Sequence, residues 1–252
     1  MPLSNEKTFI IGGRHAVQES INNKDRVVKK IILQNEEKKS SLILDKDQQK
    51  KITIQGQKFF NKVFGTEFNH QGFAAEIEVL KYPDLNTFLE TNNKTNLLFL
   101  IIDNIFDDRN LGSIIRSALA FDVDGIILNQ RSFRPKSLHL YKNASGAMEH
   151  IPIFAVSNIV NAINILKKQK FWVYALDQES SSSVFDEDFS ERSAFVLGSE
   201  DSGIKKNILD NSDKILNIPI NSKIESLNVS NAAAATLAIY NFSHLIKKNP
   251  PK

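Results

Sequence analysis

The sequence predicts an α/β protein with a parallel sheet in its larger C-terminal part and a smaller α/β unit ahead of it. Three observations lead there. Four apolar runs between Leu97 and Leu197 are continuous, with no polar alternation. Helical patterns separate these runs, and a set of shorter strand and helix patterns fills the first 80 residues. Continuous apolar strands are buried on both faces, and helices between them are the crossovers a parallel sheet requires.

Taken in order, Thr8–Ile11 is a short apolar strand stopped by Gly12-Gly13. A helix follows from about His15 to Ile21, with Ala16, Val17 and Ser20 on one face. Val27–Leu33 is a β-branched strand, Lys38–Lys51 reads as helical, and Ile52–Ile54 is a strand ended at Gly56. Gln57–Phe64 forms a second short helix with Phe59, Phe60 and Val63 turned inward, and Gln71–Val79 closes the unit as a strand. Tyr82-Pro83-Asp84 and the polar stretch 91–96 mark a linker, with a short helix at Leu85–Leu89. The expected domains are therefore 1–80, a linker at 81–96, and 97–247. In the last of these, Leu97–Ile102, Gly125–Leu128, Phe171–Leu176 and Phe195–Leu197 are strands, separated by helices at 110–121, 157–169 and 204–210. A final helix begins near Asn231 and runs through the alanines 232–235, whose small side chains let another element approach closely.

Composition narrows the function classes. With 41% hydrophobic and 24% charged residues the chain is globular in type, and its longest apolar run, Leu97–Ile102, is strand-sized. There is no cysteine, which excludes disulfides and thiolate metal sites and fits a cytoplasmic location. His15, His70, His139, His150 and His244 are scattered, so no metal is expected. The net charge of +3 is mild, but residues 1–80 hold 13 Lys and Arg against 10 Asp and Glu, whereas 81–252 hold 19 of each. The excess positive charge is N-terminal, as either an RNA-facing patch or a solvated lysine surface.

The glycines argue against a dinucleotide site, because none of the ten lies two positions from another. Gly198 and Gly203 have P-loop spacing, yet Ile204 follows where Lys and Ser/Thr are needed. Glu200 and Asp201 would also repel phosphates. An uncharged or cationic ligand suits that loop better.

Three ordered segments carry the remaining signal. They are Asp103–Gly112 leading to Arg116, then Leu197–Ile204, then Ile218-Pro219-Ile220 with Ser226–Ser230. The second and third each read as an apolar strand breaking into a polar loop. Together the set resembles the three motifs of the SpoU (TrmH-type) RNA ribose 2′-O-methyltransferases. The resemblance implies a trefoil-knotted (SPOUT) catalytic domain, S-adenosylmethionine as cofactor and a homodimer, for which the Ala232–Ala235 helix offers a packing face. It implies cofactor contacts at Gly198, Ile218 and Leu227, largely through main-chain groups; on residues alone, without the motif order, Ile218 and Leu227 read as ordinary core. It implies catalytic roles for Asn110, Arg116, Glu200, Ser226 and Asn228.

Asn110 suits a helix cap, with Ile114, Ile115, Ala118 and Leu119 facing the core, and Asn228 suits a cap of the last helix. A guanidinium is a poor base, so Arg116 is expected to clamp an RNA phosphate. Glu200 is expected to orient its neighbours or to act as base. Lys142–Pro152 resembles the family's Ser-x-Gly-Ala-x-Glu segment, where Ser145 and Gly146 form a tight turn. Two features depart from the pattern: Asp201 stands where glycine is common, and Asn221-Ser222-Lys223 replaces a glycine-containing turn.

The segments Gly12–Val17 and His70–Ala75 resemble the ends of the ribosomal-protein-like RNA-binding extension of the RlmB-like subgroup, which methylates a guanosine of 23S rRNA. Arg14, His15 and His70 are candidate RNA contacts there. A tRNA enzyme of the same chemistry and a non-catalytic ribosome-assembly factor are the alternatives.

Overall fold

A computed structural model describes residues 7–199 and 202–248. It divides into two compact units. One comprises the chain up to Lys81 together with Arg134–His150; the other comprises Tyr82–Phe133 and the chain from Ile151 onward.

The first unit is built on a four-stranded sheet of order β1-β4-β2-β3. β1 (Thr8–Gly12) and β2 (Val28–Leu33) flank β4 (Phe73–Glu78) antiparallel, and β3 (Ile52–Ile54) runs parallel to β2. Helix α1 (Arg14–Asn22) buries Ala16, Val17, Ser20 and Ile21. Helix α3 (Gln57–Phe64) buries Phe60 and Phe64, with Phe59 and Val63 packed at the margin of their cluster.

The helix expected over Lys38–Lys51 does not form as one piece. A 3-10 segment, Glu36–Ser41, starts where Asn35 accepts the Lys38 N–H, and α2 (Lys46–Gln49) starts at a reciprocal cap between Asp45 and Gln48. The intervening residues share no face: Leu42 is buried while Ile43 is 82% exposed. Two local caps outcompete one long helix whose apolar residues lack a common stripe.

Segment 134–150 completes this unit. It contributes α6 (Leu138–Ala144) and a 3-10 turn at Ala147–Glu149. Ser145 (φ 50°) and Gly146 (φ 94°) make the tight turn between them. Glu149 is held by the buried Arg26, with Nη2–Oε1 at 2.8 Å and Nε–Oε2 at 2.9 Å, and it also accepts from Ser20 and Asn23. Arg26 further donates to the Tyr141 hydroxyl, whose pKa burial pushes up to about 12. An ion pair so enclosed survives desolvation because further hydrogen bonds hold both partners.

The second unit carries a six-stranded, all-parallel sheet of order β10-β8-β9-β5-β6-β7. Its strands are β5 (Leu97–Ile102), β6 (Gly125–Asn129), β7 (Ile153–Val156), β8 (Trp172–Leu176), β9 (Arg192–Leu197) and β10 (Lys214–Leu216). Helices α4 (Leu85–Thr91) and α7 (Ile159–Lys168) pack their apolar residues on Phe99, Phe154 and Phe171 of the main core. Gly125 lets those rings approach, since a Cβ there would stand 2.6 Å from Phe154 and 2.8 Å from Phe99.

From β5 the chain moves outward to β6 and β7. From β9, beside β5, it moves the other way, through α8 (Lys206–Leu209) to β10. Adjacent strands whose connections diverge open a crevice at their carboxyl ends, where ligands of open α/β sheets bind. The last helix, α9 (Val229–Lys248), packs on α5 (Asp108–Ala120), burying Ala233 while Ala232, Ala234 and Ala235 stay partly exposed. Among the described residues no helix is long and apolar enough to cross a membrane.

Candidate functional site

Four loops meet at the crevice, all from the second unit. The first follows β5. Asp103 is 1% exposed and accepts the Lys205 backbone N–H at 3.0 Å, while the Lys205 ammonium lies 3.5 Å from its other oxygen. A buried carboxylate thus pins the far end of the loop that leaves β9. The β5 loop turns through Asn104 (φ 55°) and enters α5 at Asp107, whose side chain accepts the Arg109 N–H. Burial opposes charge on Asp107, but its bonds from Arg109 prevail and hold the carboxyl below its usual range.

Asp107 is therefore the cap, and Asn110 lies inside the first turn of α5 instead of capping it. The acid precedes Asn110 by three residues and reaches the earliest unpaired N–H groups first. Ile114, Ile115 and Ala118 face the core as the periodicity predicts, whereas Leu119 is 38% exposed.

The second loop follows β9 and closes on itself through paired backbone bonds between Ser199 and Gly203, at 3.2 and 3.0 Å. Gly198 sits against that closure. A Cβ there would lie 2.3 Å from the Gly203 carbonyl carbon and 2.5 Å from the Ile204 nitrogen. Main chain meets main chain here, so glycine is required by proximity.

The third loop follows β10. The apolar stretch Ile218-Pro219-Ile220, expected to begin as a strand, lies beyond the strand's end at Leu216. Pairing stops because the Asn217 backbone turns to Ser182 and Val184, with bonds of 2.7 and 2.9 Å. The Gln178 amide reaches the Ile218 carbonyl at 3.4 Å. The fourth loop, Ser226–Asn228, leads into α9. Asn228 Oδ1 accepts from the Ser230 N–H at 2.9 Å, and its Nδ2 donates to Asn110 Oδ1 at 3.1 Å. The backbone N–H can only donate, which fixes the orientation of both amides. Asn228 thus caps α9 and ties it to α5 with opposite ends of one group.

The second, third and fourth loops, with the end of β8, line a cavity of about 190 Å³. Gly198, Ile218, Leu227 and Ser226 line it, together with Asp177 and apolar residues including Leu197 and Leu216. Among the described lining residues none is cationic and Asp177 is the one carboxylate. Asn110 and Asn228 are joined beside it. Arg116 is not brought to it: the side chain is exposed, six residues beyond Asn110, or about 9 Å along the helix axis. Glu200, like Asp201, lies outside the described residues.

Asp177 escaped sequence reasoning, and Asp103, which opens the first motif segment, was given no role there. Each is an aspartate directly after a buried strand, and that position was the available signal. In the first unit, Arg14 donates to the Ser41 carbonyl and His15 is exposed. His70 packs tilted against Phe60 with 4.5 Å between ring centroids.

Comparison with known proteins bears on this arrangement. Residues 97–238 match the model of the SpoU rRNA Methylase family, and residues 10–83 match that of RNA 2′-O ribose methyltransferase substrate binding. The chain belongs to the SpoU rRNA methylase family. It is 34% identical over 237 residues to a Staphylococcus saprophyticus protein named for the TrmH family of tRNA/rRNA methyltransferases, spanning 92% of this chain and 94% of that one. A Staphylococcus aureus relative of the same name is 34% identical over 239 residues, covering 93% and 95%. This SpoU family member is therefore an RNA methyltransferase by descent and by fold.

Solved structures agree on the fold. The SpoU methyltransferase AviRb from Streptomyces viridochromogenes, in complex with the cofactor AdoMet, superposes with a TM-score of 0.78 at 18% identity, over 95% of this chain and 91% of that one. An AdoMet-bound rRNA methyltransferase from Sinorhizobium meliloti gives 0.78 at 21% identity, over 95% and 88%.

Proposed function

We propose that the protein methylates a ribose 2′-hydroxyl of RNA using S-adenosylmethionine, with a guanosine of 23S rRNA as its target, as in the RlmB-like subgroup. The observation that carries this reading is the cavity at the carboxyl ends of β8, β9 and β10, lined by Gly198, Ile218 and Leu227 and flanked by the Asn110–Asn228 pair. The lining fits the cofactor. Apolar walls and main-chain groups suit a nucleoside, a carboxylate suits its hydroxyls or its positive charge, and the described lining holds no cation for a phosphate-bearing alternative. When bound, S-adenosylmethionine supplies an electrophilic methyl carbon whose bond to sulfur breaks as the ribose oxygen takes it.

The chain's own groups position that oxygen. Arg116, exposed and unpaired with any described residue, clamps the RNA phosphate with its planar fork. It does not take the proton, because a guanidinium pKa above about 12 leaves no free base at neutral pH. The 2′-hydroxyl proton leaves to that phosphate or to water. Asn110, held by Asn228, and Ser226 on the cavity wall supply neutral hydrogen bonds that hold the ribose. Glu200, which lies outside the described residues, is assigned by the family resemblance to orienting the catalytic groups.

The domain boundaries at 80 and 97, a trefoil-knotted path, a homodimer and a cytoplasmic location belong to the same reading. The family match over residues 97–238 supports the knotted path. Phe242, 64% exposed on α9, supports a packing face for a second copy. Light scattering at micromolar concentration tests the dimer, which a monomeric mass overturns.

The relatives' tRNA/rRNA name favours tRNA as a second reading. The test is transfer of radiolabelled methyl to total bacterial RNA lacking native methylation, with the modified ribose mapped. Label on one 2′-hydroxyl of large-subunit rRNA is the expected result. Label in tRNA moves the substrate, and no label, with no cofactor binding, overturns the enzyme.

A further inference from the structure

Asp177 follows the last residue of β8 and is the carboxylate whose partner the cofactor reading leaves open between hydroxyls and positive charge. Its backbone N–H donates to the Leu216 carbonyl at 2.9 Å, which fixes the residue between β8 and β10. Its Oδ1 accepts the Glu179 N–H at 3.0 Å, and Oδ2 has no partner among the described residues. The side chain lines the cavity, where it is the one ionisable group among the described lining residues. Asp177 is partly exposed, so water can serve that oxygen, and a ligand donor can take the water's place.

The strand order says which donor. Tyr174 pairs with Phe195 and Leu100 pairs with Phe195 from the other side, so the ends of β8, β9 and β5 stand level. Asp177, Gly198 and Asp103 each follow their strand at the same height. Successive strands are about 4.8 Å apart, so Asp177 stands roughly 10 Å from the end of β5, which leads to Asn110 and the acceptor. The reacting methyl and its sulfonium belong at the β5 end. Ile218 and Leu216 lie on the opposite side, at the β10 edge, where apolar walls suit a flat base. Between base and sulfur a nucleoside presents its ribose, and a vicinal pair of hydroxyls matches a carboxylate that can accept from both.

We infer that Asp177 recognises the ribose hydroxyls of the cofactor's nucleoside, an inference that rests on the cofactor reading above. It is a binding and specificity residue. It discriminates against deoxynucleosides and does not sense the charge on sulfur.

Calorimetry on the full chain tests this with S-adenosylmethionine, S-adenosylhomocysteine, and the 2′-deoxy and 3′-deoxy forms of the latter. Asp177→Asn is the informative variant because it keeps an oxygen for the Glu179 N–H. Expected are a tenfold or greater loss of affinity in D177N, equal for the sulfonium and thioether ligands, and a similar loss in wild type on removal of at least one hydroxyl. That hydroxyl's removal should cost D177N little more. Loss confined to S-adenosylmethionine would move the carboxylate to the sulfonium and overturn the inference. Wild type indifferent to both deoxy ligands overturns it without any variant, so misfolding of D177N cannot shelter it. Wild type that binds none of the ligands defeats the cofactor reading itself, a different outcome from a D177N that binds normally.

Discussion

Replacing Gly198 with alanine should damage the second unit far more than its size suggests. The added Cβ would stand 2.3 Å from the Gly203 carbonyl carbon and 2.5 Å from both the Gly203 oxygen and the Ile204 nitrogen. All three are main-chain atoms, so no rotamer change relieves the overlap, and the loop must move by more than an ångström. That motion breaks the paired Ser199–Gly203 bonds, at about 0.5–1.5 kcal/mol each, and adds an overpacking cost of about 1–3 kcal/mol. Because the loop can swing aside, we expect roughly 3 kcal/mol for G198A, equivalent to about a hundredfold in cofactor affinity if the displaced loop cannot bind. Gly203→Ala is the contrast. Its φ of +63° is unfavourable for alanine, but nothing lies within 4 Å of a Cβ there, so its cost is about 1–2 kcal/mol of backbone strain alone. The assay is urea unfolding followed by fluorescence of Trp172, the chain's single tryptophan, which sits on β8 and therefore reports this unit. Cofactor calorimetry runs in parallel. If G198A unfolds at the wild-type midpoint and binds normally, the close approach is not a constraint and the reasoning fails.

Three further outcomes are expected. Glu149→Ala leaves Arg26 buried without its partner and should destabilise the first unit by about 3–5 kcal/mol, read by proteolysis of segment 134–150; Arg26→Met with Glu149→Leu should recover much of that loss. Asn228→Asp keeps an acceptor for the Ser230 N–H and so the cap of α9, but cannot donate to Asn110. It should unfold within about 1 kcal/mol of wild type and lose methyl transfer tenfold or more, whereas Asn228→Ala should also lose the cap, about 1 kcal/mol; wild-type activity in Asn228→Asp would remove the amide pair from catalysis. Burial and the nearby Lys142 hold His70 below its usual pKa, and its Nδ1 accepts the Gly72 N–H. The unfolded chain therefore binds the proton first, so stability of the first unit should be level above the unfolded pKa near 6.5 and fall as pH drops toward the lower folded value. His70→Asn should flatten that slope in urea midpoints taken from pH 8 to pH 5.

What the sequence made legible depended on how far apart the cooperating residues lie. β5, β6, β8 and β9 announce themselves because burial on both faces writes an unbroken apolar run into consecutive residues. The short strands β7 and β10 sit at the two sheet edges, where four and three residues make too brief a run to stand out. Segment 134–150 belongs with the N-terminal strands because Arg26 and Glu149, 123 positions apart, share one buried contact. No local pattern encodes that.

The site divides along the same line. Gly198, Ile218, Ser226 and Leu227 were visible as loop residues, and the fold gathers them around one cavity. Asn110 and Asn228 were visible as amides, but their bond crosses 118 positions and exists only because α9 returns to α5. Asp103 stood at the head of the first motif and Asp177 after an apolar run, neither with an assigned task. The parallel register brings them level, one on either side of Gly198, and gives them opposite tasks. Asp103 spends its oxygens on Lys205 and shapes the loop; Asp177 keeps one oxygen unspent at the cavity wall. Residue type was the same in both, so only the hydrogen-bond partners distinguish a structural carboxylate from one that meets a ligand.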